Sequence, residues 1–249
     1  MNIAAAALSD PGLHRETNED AVGVVPAHGT EGARDFVAVV ADGMGGHGHG
    51  DIASRIAVAA VVEHYENGTG DLVAGVRAAV ARANRAVFLT ASRDEALHGM
   101  GTTCTAIAIR GADVACAHVG DSRLYLVRDG GIYAMTEDHS AVRDLVARGL
   151  LSAEDARHHH SRNVLSRALG TAADVAITAW EHPFPLRAGD RLLLSTDGLH
   201  GLVDDDELRR VVEELPPAEA CRELIALARE RGGHDNITAA VLHIEGDRR

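Results

Sequence analysis

The chain is 249 residues long, carries a formal net charge of −13, and all 24 of its basic residues are arginine. So acidic a surface suits neither a nucleic-acid backbone nor an anionic bilayer, which excludes both as expected partners. Hydrophobic residues make up 46% and aromatics only 3%, so a sizeable core is expected, built of Ala, Val, Leu and Ile rather than of rings.

Residues 2–9 read as a first strand. The polar stretch 10–20 holds one arginine, Arg15, and ends in Glu19-Asp20. Its bland reading is a solvated loop; its functional reading is an arginine fork for a phosphate beside a carboxylate for a metal ion. Residues 21–25 and 35–42 form two strands expected to lie antiparallel, joined by a Gly-containing loop over 27–33. The second ends in Asp42-Gly43, followed by Met44-Gly45-Gly46, so that a buried strand delivers a carboxylate to a rim where the backbone can approach a ligand. Residues 51–65 are helical by the spacing of Ile52, Ile56 and Ala59/Ala60, with Asp51 at the start and Asn67-Gly68 as the stop. A longer core helix covers 71–96, with Leu72, Val76, Val80, Ala83 and Val87 on its apolar stripe.

Past Gly101-Thr102-Thr103 the chain turns β-rich. Residues 104–109, 113–118, 124–128 and 132–135 read as an antiparallel meander, with Gly120-Asp121-Ser122-Arg123 between its second and third strands. Residues 137–170 break the pattern and read as a flap, with a short helix over 141–148 ended by Gly149 and another turn starting at Ser152. His158-His159-His160 within it are consecutive and so point different ways; a solvated patch fits them better than a zinc site. Strands follow at 175–181 and 190–195, the latter running into Thr196-Asp197-Gly198. Helices at 204–214 and 217–231 and a last strand at 237–244 complete one expected domain, 1–249. Cys104, Cys116 and Cys221 are scattered among apolar residues and read as buried free thiols. Residues 1–8 lack the basic region of a signal peptide, and no apolar run reaches the ~20 residues of a membrane span, so the expected setting is the cytoplasm.

Two apolar strands thus end in Asp-Gly. One such ending is also a common hairpin turn, but the pair suits a hard divalent cation and its phosphate ligand. Asp20, Asp121 and Asp235 stand at other strand edges. If these five carboxylates converge they would repel one another without cations, and an all-oxygen set favours magnesium or manganese over zinc. Spacing alone leaves convergence open.

Eight motifs bear on it: SDPGLHRETNED (9–20), ADGMGGHGHGD (41–51), MGTT (100–103), GDSR (120–123), EDHS (137–140), LSRALG (165–170), LSTDGL (194–199) and GGHDNIT (232–238). In this order and across nearly the whole chain, they resemble the metal-dependent protein phosphatase 2C family in its compact bacterial form. The resemblance implies an α+β fold, a four-layer α-β-β-α sandwich of two antiparallel sheets flanked by helix pairs, with the site at one end. It implies two Mn2+ or Mg2+ ions and a weaker third. Asp42 would bridge the two, with the Gly43 carbonyl on the second; Asp197 and Asp235 would hold the first, Asp20 would support the second, and Asp121 would reach the third. Arg15 would grip the phosphate. The implied activity is hydrolysis of phosphoserine and phosphothreonine in proteins by a water activated between the two ions, by a monomer opposing a bacterial Ser/Thr kinase. Met44 stands where some relatives carry a histidine proton donor; a water near Asp121 or His47 are the alternatives for that role. The competing functional reading is an inactive relative serving as a regulatory binding module, and a third is a phosphatase dedicated to one partner protein.

Overall fold

The computed structural model describes residues 1–27, 35–45, 48–66, 70–161 and 164–246. Gly46, His47, Asn67-Gly68 and most of the loop over 27–33 lie outside them. Among the described residues the strands form two antiparallel sheets. The first has the spatial order β1 (Asn2–Asp10), β12 (Ile237–Glu245), β11 (Arg191–Ser195), β7 (Arg123–Arg128), β8 (Gly131–Ala134). The second has the order β10 (Phe184–Pro185), β6 (Asp113–Val119), β5 (Cys104–Arg110), β3 (Phe36–Met44), β2 (Asp20–Val25), with β4 (Gly101–Thr102) on β3 and β9 (Thr178–Ala179) on β6.

The central strands are covered on both faces, which is why they are apolar throughout instead of alternating. On β3, Phe36, Ala38 and Val40 face the other sheet and meet Leu124, Leu126, Leu192, Leu194 and Leu242. The intervening Val37 and Val39 face outward onto α1 (Gly50–Glu66) and α2 (Leu72–Arg93), through Ala53, Ala57, Val76 and Val80. On the far side Leu193 and Val241 pack against Leu208 and Val212 of α6 (Asp205–Glu214) and Leu224 of α7 (Pro217–Glu230). Three apolar layers therefore separate four layers of secondary structure, the expected α-β-β-α arrangement. Asp71 caps α2 by accepting from Ala74 N at 2.8 Å.

Four local expectations change. The strand expected at 175–181 shrinks to β9, because Val175 and Ile177 turn aside to pack on the α2 layer and only two residues remain in register with β6. The link at Pro183 and Pro185 contributes the short edge strand β10. The helix expected to run to 96 ends at Arg93, where Asp94 caps a single 3₁₀ turn. Neither Asp-Gly is a hairpin turn: β3 continues through Gly43 and Met44 to pair with β4, and Asp197 opens a helical turn, α5 (Asp197–His200).

Within 137–170, α3 (Ala141–Ala147) is capped by Ser140 and α4 (Ala153–His158) by Ser152. The segment is tied down at its root, where Ser140 bridges to Leu165 and Thr102 to Leu169. Among the described residues no helix is long and apolar enough to cross a membrane.

At its far edge the first sheet carries a buried ion pair whose arginine also reaches the second sheet. Asp190, 2% exposed at its side chain, accepts from Arg128 Nε at 2.7 Å and Nη2 at 2.6 Å, while Nη2 also donates to the Pro185 carbonyl at 3.0 Å. Removing one partner of such a pair strands the other charge, so Asp190→Ala is expected to destabilise the fold by ~3–5 kcal/mol, measured by denaturant unfolding.

Candidate active site

At one end of the sandwich five loops meet, and the local sequence dictates how each is held. Asp20 opens β2 directly opposite Asp42 on β3. Asp42 is fixed by its backbone: its N–H donates to Thr103 Oγ1 at 2.8 Å, and its carbonyl accepts from Thr103 N at 2.8 Å and Thr102 Oγ1 at 2.9 Å. Thr103 Oγ1 lies 2.6 Å from Ser122 Oγ, which joins the loop carrying Asp121 to the same support. Gly43 is forced to be glycine by contact, since a Cβ there would lie 2.0 Å from the Gly50 carbonyl oxygen and 2.5 Å from that of Glu19.

The other sheet reaches across through hydroxyls. Asp20 is buried, and its Oδ2 accepts from Thr196 Oγ1 at 2.8 Å and Thr238 Oγ1 at 2.6 Å. Its Oδ1 is also buried and has no hydrogen-bond partner among the described residues. Asn236 holds the arginine loop: its side-chain oxygen accepts from Glu19 N at 2.8 Å, and its Nδ2 donates to the Pro11 and Thr17 carbonyls, each at 3.0 Å. Gly12, at φ +78°, packs so closely on this strand that a Cβ would lie 2.2 Å from the Asp235 carbonyl oxygen. Arg15 then donates to Asp235 Oδ2 at 2.8 Å, with 52% of its own side chain still exposed.

The result is a shared electrostatic problem. Desolvation, then the charges of Asp20, Asp197, Asp121 and Asp235, push the Asp42 carboxyl well above its ordinary range. Burial, offset in part by the two threonine hydroxyls, and the charges of Asp197 and Asp235 raise Asp20 to about 7. Asp121 is raised to about 7 by burial and by Asp197 and Asp138. Asp197 is raised by burial and Asp235, with a hydrogen bond to Asp42 and Arg15's charge acting the other way. Arg15 is held more firmly protonated by its bond to Asp235. All seven residues singled out from the sequence, Arg15, Asp20, Asp42, Gly43, Asp121, Asp197 and Asp235, thus belong to one neighbourhood.

Among the described residues no three Asp, Glu, His or Cys side chains already form a ready-made cation site; the carboxylates instead engage Arg15 and one another. The chemistry of the donor set nevertheless fits hard divalent cations. It is all oxygen, it is rich in carboxylates whose charges oppose one another, and it includes an orphaned buried oxygen on Asp20. The supporting groups Thr103, Ser122, Thr196, Asn236 and Thr238 lie within the ordered motifs, but the sequence assigns them no role. Beyond that membership, their signal is a hydroxyl or amide placed at the end of an apolar run.

A four-layer sandwich with an acidic cleft and an arginine at its rim is the architecture of a metal-dependent phosphatase class. Residues 14–231 match the protein phosphatase 2C family, to which the chain belongs. It is 40% identical over 242 residues to the serine/threonine protein phosphatase PstP of Mycobacterium tuberculosis, covering 96% of this chain and 44% of PstP. The chain thus spans under half the length of that relative. It is 36% identical to the serine/threonine phosphatase stp of Listeria monocytogenes, covering 96% of this chain and 94% of stp. It also superposes on the crystal structure of the PstP catalytic domain in complex with two manganese ions, at 37% identity and a TM-score of 0.83, covering 98% of this chain and 99% of that one.

Raised carboxylate pKa values set a direction for stability. With the folded Asp20 near 7 and an ordinary value of 3.8, the folded state binds more protons than the unfolded state in between, so stability falls as pH rises across that interval. Asp20→Asn is therefore expected to gain stability over the parent protein from pH ~4 to ~7, with a constant advantage above, in thermal unfolding with a chelator present. An advantage independent of pH would show that Asp20 carries no such strain.

Proposed function

We propose that the chain is an active phosphoprotein phosphatase that hydrolyses phosphoserine and phosphothreonine with Mn2+ or Mg2+, residues 1–249 forming one catalytic domain with 137–170 as its flap. The single observation that carries this reading is the set of opposed carboxylates on Asp20, Asp42, Asp121, Asp197 and Asp235, gathered beside Arg15. Two cations would be held between Asp42, the Gly43 carbonyl, Asp197 and Asp235, with Asp20 in support and a weaker third at Asp121. Bound there, such ions would supply Lewis acidity toward the phosphoryl oxygens and lower the pKa of a water.

The chain's own residues do the rest. Arg15 offers a planar, permanently charged fork to the equatorial oxygens of the phosphoryl group, leaving Asp235 as it does so. Thr196 and Thr238 orient the Asp20 carboxylate with one oxygen bonded and one free. Thr102 and Thr103 hold the Asp42 backbone so that its carboxylate faces the cleft without moving. No side chain is needed as a nucleophile: the cysteines are buried, with Cys104 pushed up to about 12 and Cys221 to about 11 by that burial. A bacterial Ser/Thr kinase acting on the same proteins is the natural counterpart, with the chain working as a cytoplasmic monomer.

The test is hydrolysis of para-nitrophenyl phosphate with manganese, with and without chelator. Asp42→Ala and Asp197→Ala are each expected to abolish turnover while circular dichroism stays unchanged. A folded wild type without metal-dependent turnover would favour the inactive binding module instead. Arg15→Ala is expected to act on phosphate binding: removing a charge-assisted bond of ~1.5–3 kcal/mol should raise KM roughly 10- to 150-fold, more than it lowers kcat, in steady-state kinetics.

A further inference from the structure

A second concavity lies away from the carboxylates, where the root of the flap leans on the edge of the second sheet. It has a volume of about 680 Å³, and its walls include Cys116, His118, Met135, His139, Arg167 and Trp180. Val146 and Ala147 of α3 contribute to the same lining. This volume and this mixture of apolar wall with a few polar groups are those of a small-molecule site.

Its polar groups are not satisfied in the way a merely structural groove would be. His118 and His139 stack on each other with ring centroids 4.3 Å apart and planes 21° apart. His139 is fully engaged: Nδ1 accepts from Gly120 N at 3.1 Å, which leaves Nε2 to face Thr178 Oγ1 at 2.9 Å. His118 is itself buried, 2% exposed. Two of the neighbouring arginines are paired, Arg123 with Asp138 and Arg143 with Glu137. Arg167 is different: its only polar contacts among the described residues are His139 Nε2 and Thr178 Oγ1, both at 3.4 Å, and neither is an acid. Asp144 on α3 also lines the cavity, and no ion pair engages it among the described residues. Among the described residues the lining thus holds a cation, Arg167, and an anion, Asp144, that have no ion-pair partner, beside an apolar wall that includes Trp180.

We propose that this cavity is a binding site for a small aromatic zwitterion of the amino-acid class, its carboxylate on Arg167, its ammonium on Asp144 and its ring against the apolar wall of Cys116, Met135 and Trp180. Arg167 favours a carboxylate because its guanidinium presents two parallel donors. An aromatic ring fits walls that combine sulfur, methylene and indole surface. The site is separate from the carboxylate cluster, yet it touches it through Gly120, which exchanges two hydrogen bonds with His139 and immediately precedes Asp121. Binding here does not depend on the phosphatase reading, and the test below requires no turnover.

Trp180 is the sole tryptophan of the chain and lines this cavity, so a single indole cross-peak in a ¹H–¹⁵N spectrum reports on it, and the Arg167 and Asp144 variants below separate it from the groove on the indole's other side. The full chain with manganese replaced by magnesium would be titrated with L-phenylalanine, with 3-phenylpropionate, which lacks the ammonium, and with phenethylamine, which lacks the carboxylate. The expected result is a saturable shift with L-phenylalanine, persisting in saturating inorganic phosphate, and about tenfold weaker binding of either truncated probe. Arg167→Met should erase the advantage over phenethylamine, and Asp144→Asn the advantage over 3-phenylpropionate. Ala147→Leu, on the exposed side of the roof helix, should weaken all three probes in a protein whose remaining spectrum is unchanged. No saturable shift up to about 10 mM, displacement by inorganic phosphate, or undiminished binding in Arg167→Met would each overturn the proposal.

Discussion

Repulsion among carboxylates is what the remainder of this molecule is arranged to withstand. Asp42 feels four other aspartates, and no protein cation except Arg15 shares their cleft closely enough to form an ion pair among the described residues. Left to themselves, loops bearing such charges would splay into water. They do not, because every loop is anchored by groups that cannot be protonated away: threonine hydroxyls, an asparagine amide and backbone N–H donors. The Asp20–Thr196–Thr238 set is the clearest case, since it joins a strand of one sheet to two elements of the other. The apolar layers provide the stability, and the hydroxyls spend some of it on holding charge in place.

Backbone proximity serves the same end. The Gly43 and Gly50 backbones approach so closely that neither position can carry a side chain, which brings the start of α1 against the end of β3. On the opposite wall Asn236 ties three separate backbone groups of the 10–20 loop, and Arg229 adds a two-oxygen grip on Asp10 at 2.7 and 2.8 Å. Rigidity of this kind is what holds the remaining carboxylates in place while the one arginine pairs with Asp235.

Much of this is legible in the amino-acid sequence, for identifiable reasons. Strands buried on both faces give unbroken apolar runs, so 36–41 and 192–194 announce themselves, and helices with one buried stripe, such as the one starting at Leu72, are equally plain. Family membership rests on ordered motifs, and it holds. What periodicity misses is anything two residues long or decided by a partner. The strand expected over 175–181 fails because its side chains find more apolar surface on α2 than its backbone finds partners on β6. The continuation of β3 past Asp42 depends on Gly101-Thr102, some sixty residues away, which no local pattern encodes. Thr196 and Thr238 are ordinary strand formers by type, and only their placement opposite a buried aspartate gives them a role. The aspartates themselves are visible as strand endings, whereas their meeting is a tertiary fact that spacing does not supply.

The position of β12 has an outcome for how such a molecule comes into being. It is the last of the described strands, yet it lies inside its sheet, between the first strand and β11. A nascent polypeptide emerging from the ribosome can assemble the helices and strands of the second sheet early, but β1 has no neighbour in its own sheet until residues 237–245 arrive. Arg15 likewise waits for Asp235, and Asp20 for Thr238. Elongation must therefore pass residue 238 before the acidic cleft can assemble, so a chain arrested short of that point carries no complete copy of it.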